Sequence, residues 1–543
     1  MMTNDDTHAH LPAQVARSVD DCLAELHAQR FAQRIQSHDA SLWRGNAEEV
    51  RQRLGWLHVH ETMRPQRDSL VSFAEQVRHD GVTDVVLLGM GGSSLGAEVL
   101  NVVFGNTPGN PRLHVLDSTV PGAVRAVAHD IDFAHTLFIV SSKSGGTLEP
   151  NLLLDYFFHE ATVRTGRHAG AQFVAITDAG SSLETTARER SFRQAFINPS
   201  DIGGRYSVLS LFGLVPAALL GIDLSRLLDA TSLMAQRCNP TGDTASNPGT
   251  SLGAFIAGCA RTGRDKLTLL TSPRLSSFGL WAEQLVAEST GKQGKGIVPV
   301  IDEPLLDVAS YADDRTFVYL RLEQDGDSAA DNLAESLSVA GFPILTIVVR
   351  DRYSLGGEFY RWEYATAAVG AMLGINPFDQ PDVQTAKDAS TKTLEHFVTH
   401  GSLPVSEPSM TLSELLDALV PRDYLAVTAY LRQSPEMDAI FAEFRRRIAT
   451  AHHVGTTLGY GPRFLHSTGQ LHKGGPDECV LLQVVSAHPD DVQIPNRAFS
   501  FGTVADAQAL GDFQALQSLN RRVGRILLER DNPACLSDAL KQL

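Results

Sequence analysis

The segment SSKSGGT at residues 141–147 has the composition of a loop that holds a phosphate group. Its candidate binding residues are Ser142, Lys143, Ser144 and Thr147. Hydroxyl and backbone N–H groups donate hydrogen bonds to an anion, a lysine adds positive charge, and the helix-like segment that follows would present its positive dipole end. A Ser/Gly-rich turn is also an ordinary connection between a strand and a helix, and the segment alone does not separate the two interpretations.

A second glycine-rich loop, GMGGSSLG at residues 89–96, follows an apolar run that resembles a strand. Ser94 stands where the GxGxxG dinucleotide motif has its third glycine, although Asp117 after the next run keeps a dinucleotide site open as an alternative. We expect Gly92 and Ser93 to lie at the carboxyl end of the same sheet as the 141–147 loop. Both loops would then face one small anionic ligand.

Glu288 lies on the apolar face of a segment with helical spacing, four residues after Gln284 and seven after Trp281. A carboxylate near a helix C-terminus is disfavoured by the helix dipole, so its placement needs a reason. A role as a general base would explain this placement. A solvated glutamate in the last turn of an amphipathic helix is the alternative.

Two basic residues could assist such a site. Arg205 follows two glycines in DIGGRYSVLS at residues 201–210, and Lys387 follows Gln380 by seven residues in a stretch interrupted by prolines. Glycines allow a backbone and a guanidinium group to approach a ligand closely. Taken alone, Arg205 is equally well explained as a surface residue in a turn. Lys387 is equally well explained as a solvated lysine.

The composition limits the classes of partner. The chain has 543 residues and a net charge of -17, which argues against a nucleic-acid-binding surface. Its five cysteines are scattered and form no CxxC pair, as is typical of a reducing compartment. The N-terminus is polar and acidic, and no apolar stretch reaches membrane-spanning length. These features indicate a soluble cytoplasmic protein without a membrane or nucleic-acid partner.

Short apolar runs separated by helix-length stretches indicate an α/β fold with buried parallel sheets. A Pro/Gly-rich stretch at residues 238–252 divides two such series, and the chain is interpreted as helical beyond about residue 400 until a strand-like run at 479–485. We therefore expect a helical segment at 1–70, two α/β domains at 71–237 and 250–400, and a C-terminal α/β module at 401–543. The runs interpreted as strands are 85–88, 113–117, 136–140, 173–177, 194–198, 266–270, 316–320, 342–349 and 479–485.

Over residues 84–390 the chain resembles the glucose-6-phosphate isomerase family, whose members have tandem sugar-isomerase (SIS) domains. Five motifs occur in the family's order, namely GGS in the first loop, SSKSGGT, DIGGRYSVLS, ESTGK at 288–292 and NPFDQ at 376–380. The chain is particularly similar to the isomerase half of fused transaldolase/phosphoglucose isomerases. The stretch before residue 84 is too short for a transaldolase barrel, so the resemblance implies only the isomerase function.

The resemblance implies a role for each candidate residue. Ser142, Lys143, Ser144 and Thr147 would bind the phosphate of the sugar, while Gly92, Ser93 and Gln380 would line the sugar itself. Glu288 would move a proton between C2 and C1 through a cis-enediol that Arg205 stabilises, and Lys387 would lie near the ring oxygen. No metal or redox cofactor is implied, and family members are usually homodimers.

The family's ring-opening histidine is missing from its usual place, since residues 169–395 contain no histidine. The segment HSTGQLHKGG at residues 466–475 is similar to the family's histidine segment. We hypothesise that this segment is relocated to the C-terminal part of the chain, so that His466 or His472 completes the site. A structural Gly/His-rich loop is the alternative.

Two other functions stay open at this point. One is an isomerase with dual activity on glucose and mannose 6-phosphates, since such specificity can depend on pocket shape alone. The other is a non-catalytic SIS regulator that binds a sugar phosphate. A regulator would have no need of Glu288, Arg205 and Lys387 together.

Overall fold

Three sheets organise the part of the chain that the computed structural model describes, residues 6–166, 169–239, 246–326, 328–405 and 409–541. Every strand pairing inside them is parallel except one at an edge. Helices cover the sheets and link their strands, which confirms the α/β class. None of the described helices combines the length and apolarity that crossing a bilayer requires.

The N-terminal stretch is helical after one short strand, and spacings close to 3.6 residues predict this. Helix α1 buries Val15, Val19, Cys22 and Leu26 along one face. The elements are β1 (Thr7–His10), α1 (Ala13–Ala28), α2 (Phe31–Gln36), α3 (Ala47–Arg51), α4 (Val59–Met63) and α5 (Arg67–His79).

The first sheet has the strand order β3-β2-β4-β5-β6 and is parallel throughout. Strand β2 is buried at every position, as expected for a strand with helices on both faces. Its strands are β2 (Asp84–Gly89), β3 (Arg112–Leu116), β4 (Thr136–Ser141), β5 (Phe173–Asp178) and β6 (Gln194–Asn198), and the helices of this region are α6 (Leu95–Phe104), α7 (Pro121–Asp130), α8 (Leu148–Thr165), α9 (Ser182–Glu189), α10 (Leu211–Leu219) and α11 (Leu224–Arg237).

The second sheet has the order β1-β10-β9-β7-β8, with β1 antiparallel to β10 at the edge. The N-terminal stretch also docks on helix α12, where Ser18 Oγ donates to the carbonyl of Gly258 at 2.9 Å. The elements are α12 (Pro248–Arg261), β7 (Lys266–Thr271), α13 (Phe278–Thr290), β8 (Val298–Val300), β9 (Arg315–Leu322), α14 (Ser328–Val339), β10 (Ile344–Val349) and α15 (Leu355–Leu373).

The Pro/Gly-rich stretch at 238–252 is only partly a loop. Residues 240–245 lie outside the described residues, and α12 already begins at Pro248. The Asn247 side chain accepts hydrogen bonds from the N–H groups of Gly249 and Thr250, both at 3.0 Å. Asn at the N-cap followed by Pro at the first helical position starts a helix, so turn-forming residues at this place mark a helix start.

Helices α13 and α15 are buried almost all round. Every residue of α13 except Leu280 is buried, and α15 exposes only parts of its last turn. A helix buried on all sides lies inside a layer of other elements. The expectation of a solvent-facing side on α13 is therefore wrong, and a solvated position for Glu288 is excluded with it.

The C-terminal region forms a third parallel sheet with the order β12-β11-β13-β14. Strands β11 and β12 were not expected, because short apolar runs do not distinguish a buried strand from a buried helix. The elements are α16 (Val383–His400), α17 (Leu412–Asp417), β11 (Tyr424–Ala429), α18 (Pro435–His452), β12 (Gly455–Tyr460), α19 (Gly469–Gly474), β13 (Cys479–Ser486), α20 (Phe501–Ser518), β14 (Arg522–Leu528) and α21 (Pro533–Leu540).

Helix α13 carries a second buried carboxyl group, Glu283, which is 6% exposed. Its Oε1 has no hydrogen-bond partner among the described residues. Burial, together with the nearby charge of Asp302, raises the pKa of Glu283 from its usual 4.5 to about 8. Glu283 is therefore protonated at neutral pH in the folded chain.

Glu283→Gln is expected to stabilise the protein increasingly as pH rises. Between pH 4.5 and 8 the unfolded chain releases this proton while the folded chain retains it, so the contribution of Glu283 to the free energy of unfolding falls through that window. Glutamine has no proton to release. The difference between variant and wild type should grow by about 3 kcal/mol from pH 5 to pH 8 in urea titrations. A difference independent of pH would contradict the raised pKa.

Candidate active site

A cavity of about 340 Å³ lies where the loops after β2 and β4 meet the C-terminal half of α13. It gathers most of the residues singled out from the sequence. Ser142 and His472 do not line it. The predicted residues that do are Gly92, Ser93, Lys143, Ser144, Thr147, Arg205, Glu288, Gln380, Lys387 and His466.

The phosphate-type loop joins β4 to helix α8. Gly145 has a φ of 70°, a left-handed conformation that favours glycine, and Asn151 Nδ2 donates to its carbonyl at 2.9 Å. Ser142 Oγ donates to Thr147 Oγ1 at 3.2 Å and so closes the loop from within. The side chains of Ser144 and Thr147 line the cavity at the N-terminal end of α8.

Lys143 is already engaged inside the protein. Its ammonium group forms an ion pair with Asp178 at the end of β5 and donates to the carbonyl of Ser200 at 2.8 Å. The lysine thereby ties the loop after β4 to the neighbouring strand. Its positive charge remains at the cavity wall, but its hydrogen bonds hold the loop in place.

The loop after β2 touches the loop that carries Arg205. A Cβ added at Gly92 would lie 2.0 Å from the carbonyl oxygen of Gly204, so only glycine allows this approach. Ser141 Oγ donates to the carbonyl of Ser93 at 2.8 Å and joins the two phosphate-side loops.

Asp117, the acidic residue on which the dinucleotide alternative depends, is engaged inside the protein. Both carboxylate oxygens of Asp117 accept hydrogen bonds from Arg463, at 2.7 and 2.9 Å. Asp117 therefore anchors the C-terminal region to the first sheet and is not free to bind a ribose hydroxyl.

Glu288 is paired on the cavity wall. Its Oε1 lies 2.9 Å from Arg205 Nη1, and its Oε2 accepts a hydrogen bond from Gln284 Nε2 at 3.1 Å. Glu288 and Arg205 are 8% and 4% exposed. The structure thus brings a carboxylate with two defined neighbours to the end of α13, at the edge of a cavity.

Arg205 is held by the NPFDQ loop. Its remaining donors reach the carbonyls of Pro377 and Asp379 at 3.0 and 2.7 Å, and Gln380 Oε1 at 3.2 Å. The guanidinium group therefore has one fixed position, with one edge toward Glu288. Arg205 is not a surface arginine in a turn.

Lys292, the last residue of ESTGK, was not singled out from the sequence. Its ammonium group donates to the carbonyl of Asn376 at 2.8 Å and to the Asp379 carboxylate at 2.7 Å. Burial, helped by the charge of Arg205, lowers the pKa of Lys292 to about 8. Lys292 positions the loop that in turn holds Arg205.

The two candidate histidines have different surroundings. His466 lines the cavity, its Nε2 lies 2.9 Å from Glu149 Oε1, and its carbonyl accepts from Gln284 Nε2 at 2.7 Å. His472 lies between Tyr424 and Phe464, away from the cavity. Burial lowers the pKa of His472 to about 3, which leaves its ring neutral. Of the two, only His466 can reach a ligand in this cavity.

Glu149 orients His466 and was also missed. Burial pushes its pKa upward, but the charge and hydrogen bond of His466 outweigh burial and hold the pKa below its usual value. Gln508 Nε2 donates to the same carboxylate at 2.7 Å, and Gln508 accepts from Thr119 Oγ1 at 2.8 Å. The position of Glu149, two residues after Thr147, was the available signal. Its partner His466 lies 317 residues further along the chain, so no local sequence pattern links the two residues.

Lys387 lies on the second turn of α16, and its exposed side chain forms part of the cavity rim with Gln380 and Val383. The cavity therefore has a hydroxyl-rich end at the 141–147 loop, a carboxylate with an arginine on one wall, and a histidine and a lysine beside them. Such a set can bind a small phosphorylated molecule and move protons on it.

Comparisons with known proteins find similar sequences and similar folds. The family model described as phosphoglucose isomerase matches residues 53–298. The chain is 28% identical over 390 residues to a glucose-6-phosphate isomerase of Prochlorococcus marinus (strain NATL2A), covering 65% of this chain and 74% of the relative. It is 31% identical over 355 residues to that of Parasynechococcus marenigrum (strain WH8102), covering 58% and 63%.

Two solved structures share the fold. A hypothetical protein from Thermus thermophilus matches with a TM-score of 0.60 and 24% identity over 71% of this chain and 100% of its own. A glucose-6-phosphate isomerase from Chlamydia trachomatis matches with a TM-score of 0.59 and 20% identity over 69% and 86%.

Proposed function

We propose that this chain, which is similar to members of the phosphoglucose isomerase family, interconverts glucose 6-phosphate and fructose 6-phosphate through a cis-enediol. The observation that carries this proposal is the Glu288 carboxylate, held by Arg205 and Gln284 on the wall of a cavity whose far end is the 141–147 loop. A proton-transfer group and a phosphate loop in one cavity are what the reaction requires.

Glu288 acts as the base. It removes the proton from C2 of the open-chain aldose while O1 is protonated, and the electrons of the C2–H bond form the C1=C2 bond of the enediol. Return of the proton to C1 and loss of the proton from O2 give the ketose, so atoms and electrons balance without an oxidant. The Arg205 guanidinium, fixed by three acceptors besides Glu288, stabilises the negative charge that develops on the enediol oxygens.

The phosphate binds at the start of α8. Hydroxyl groups of Ser144 and Thr147 donate to it, the positive end of the α8 dipole faces it, and Lys143 contributes charge. Gly92, Ser93 and Gln380 line the sugar. Ser142 holds the shape of the loop through Thr147 and acts on the phosphate only indirectly.

His466 opens the sugar ring by protonating the ring oxygen, with Lys387 beside it. Glu149 fixes the orientation of the imidazole, as a carboxylate behind a catalytic histidine does. This assignment drops His472, whose buried neutral ring has no route to the sugar.

His466→Ala is expected to impair turnover of a cyclic sugar more than that of an open one. The value of kcat/KM for fructose 6-phosphate should fall by about 100-fold, the usual size of a general acid-base contribution. With 5-deoxyfructose 6-phosphate, which lacks the ring-forming hydroxyl, the loss should stay below about 10-fold. His472→Gln is the matched control and should not separate the two substrates. Equal losses on both substrates in His466→Ala would remove the ring-opening role.

Proton NMR of fructose 6-phosphate in D₂O tests the function itself. Glucose 6-phosphate should appear with deuterium at C2, because the base exchanges its proton with solvent. Mannose 6-phosphate as a second product would reveal dual specificity. Binding of fructose 6-phosphate without exchange or product would identify a sugar-phosphate sensor, an alternative that the relatives do not favour.

We also propose a cytoplasmic homodimer. The scattered cysteines, which form no disulfide among the described residues, support a reducing compartment. The dimer is supported by the resemblance to the family alone. Sedimentation equilibrium of the full chain would test it, and a single species with the 58.8 kDa mass of one chain would contradict it.

A further inference from the structure

A buried glutamine behind the cavity hydrogen-bonds to two of the segments that form the cavity wall. Gln470 lies on α19, four residues after His466, and is fully buried. An amide that is withdrawn from water needs partners for both its oxygen and its nitrogen. The partners of Gln470 therefore indicate which parts of the molecule this side chain holds in place.

The first partner of Gln470 is the turn that follows α13. Gln470 Nε2 donates to the carbonyl of Gly291 at 2.8 Å, and Gly291 lies three residues after Glu288. A further hydrogen bond joins the same two segments, from the N–H of Gly294 to the carbonyl of Gly474 at 2.9 Å. Helix α19 is thus fixed against the end of the helix that carries the proposed base.

The second partner of Gln470 is Asp382, the residue that immediately precedes α16. The N–H of Asp382 donates to Gln470 Oε1 at 2.9 Å, and Gln470 Nε2 donates to Asp382 Oδ2 at 2.5 Å. Within the described chain the Asp382 carboxylate makes no capping hydrogen bond to α16, although it occupies the N-cap position. An aspartate at this position usually caps its own helix, whereas this one binds α19 instead.

The contact with Asp382 bears on the site because the start of α16 forms part of the cavity. Lys387, on the second turn of α16, lies on the cavity rim, and Gln380 lines the cavity two residues before Asp382. Gln380 Oε1 also accepts a hydrogen bond from Arg205 at 3.2 Å. A displacement of the start of α16 would therefore move Lys387 and Gln380 relative to the rest of the cavity.

A second buried amide attaches the His466 segment to α13. Gln284 Nε2 donates to the carbonyl of His466 at 2.7 Å and to Glu288 Oε2 at 3.1 Å. Gln284 thus joins the histidine to the base, whereas Gln470 joins the same segment to α16. Two buried amides therefore connect the three elements that carry the base, the histidine and the lysine of the proposed reaction.

We propose that Gln470 is a positioning residue that holds the start of α16, and with it Lys387, in place relative to α13 and His466. Gln470 does not line the cavity and acts through its contacts with Gly291 and Asp382. Its role in catalysis rests on the proposed isomerase function, whereas its hold on α16 does not. A displacement of about 1 Å in a reacting group can cost about 100-fold in rate, so a small shift of α16 is enough to affect turnover.

Gln470→Leu is expected to lower kcat for fructose 6-phosphate by about 10- to 100-fold. The KM should change by less than about 3-fold, since the loop after β4 that binds the phosphate is not displaced. Asp382→Ala removes the carboxylate of the same contact at a half-buried position and should give a smaller loss of the same kind. Gln172→Leu is the matched control, because this amide donates to the carbonyls of Phe133 and Thr136 at the amino end of β5. The control should lose stability in urea without losing kcat.

Hydrogen exchange of the peptide that spans the start of α16, measured without substrate, tests the hold on this helix directly. Amide exchange should be at least about 10-fold faster in Gln470→Leu than in the wild type and unchanged in Gln172→Leu. If Gln470→Leu does not fold, Asp382→Ala serves for both measurements. Unchanged exchange, a kcat loss that Gln172→Leu shares, or a rise in KM as large as the fall in kcat would overturn the proposal. A wild type without isomerase activity would refute the proposed function, and the exchange rates would still decide whether Gln470 holds α16.

Discussion

Glu288→Gln is expected to lower kcat for isomerisation by about 1,000- to 10,000-fold, the upper range of a general-base contribution. Glutamine keeps the size of the side chain and can still accept a hydrogen bond, but it cannot carry a proton between C1 and C2. The KM for fructose 6-phosphate should change little, because the phosphate loop at the other end of the cavity supplies binding. Deuterium incorporation at C2 in D₂O should disappear with the activity.

Glu283→Gln provides the matched control for this experiment. It makes the same substitution on the same helix, but Glu283 does not line the cavity. The Glu283 variant should retain activity and exchange. Residual exchange in Glu288→Gln above about a hundredth of the wild-type rate would mean that another group is the base.

Arg205→Met is expected to reduce both activity and stability. The activity loss should be about 1,000-fold in kcat/KM, because the charge that develops on the enediol loses its stabilising cation. The free energy of unfolding should fall by about 3 to 5 kcal/mol, since the buried Glu288 carboxylate and two backbone carbonyls lose their partner. Urea unfolding and steady-state kinetics measure the two effects separately.

A double-mutant cycle separates the ion pair from the other contacts of Arg205. In Arg205→Met/Glu288→Gln the buried charge is absent, so the double variant should be more stable than Arg205→Met alone. The activity of the double variant should lie within about 10-fold of the activity of Glu288→Gln, because the two residues serve one step. A double variant less stable than Arg205→Met would contradict this expectation. It would show that the unpaired Glu288 carboxylate is not what destabilises Arg205→Met.

Local motifs predicted many members of the site, because each is a short run with its own chemistry. SSKSGGT, GMGGSSLG and NPFDQ all lie at the cavity. What they did not predict is how each residue is used. Lys143 was expected to contact phosphate directly, yet its hydrogen bonds go to Asp178 and Ser200. Ser142 was expected at the phosphate, yet it is turned toward Thr147.

Burial was the property that local patterns misjudged. The spacing on α13 predicted a helix correctly, but it also predicted a solvent-facing side that does not exist. The strands β11 and β12 were missed for a related reason, since a short apolar run packs equally well as strand or helix until its neighbours are known. Whether Glu288 is solvated or paired depends on Arg205, and no spacing within α13 contains that information.

The sequence by itself determined the α/β class, the strands of the first two sheets except β1 and the short β8, and the two glycine-rich loops, and it singled out Glu288 and Arg205, which pair on the cavity wall. These depend on periodicity and on residue types within a few positions of one another. Only the tertiary structure placed His466 and not His472 at the cavity, brought Glu149 behind His466, and placed Lys292 and the NPFDQ loop around Arg205. Those contacts join residues up to 317 positions apart, and their geometry exists only once the sheets have packed against one another.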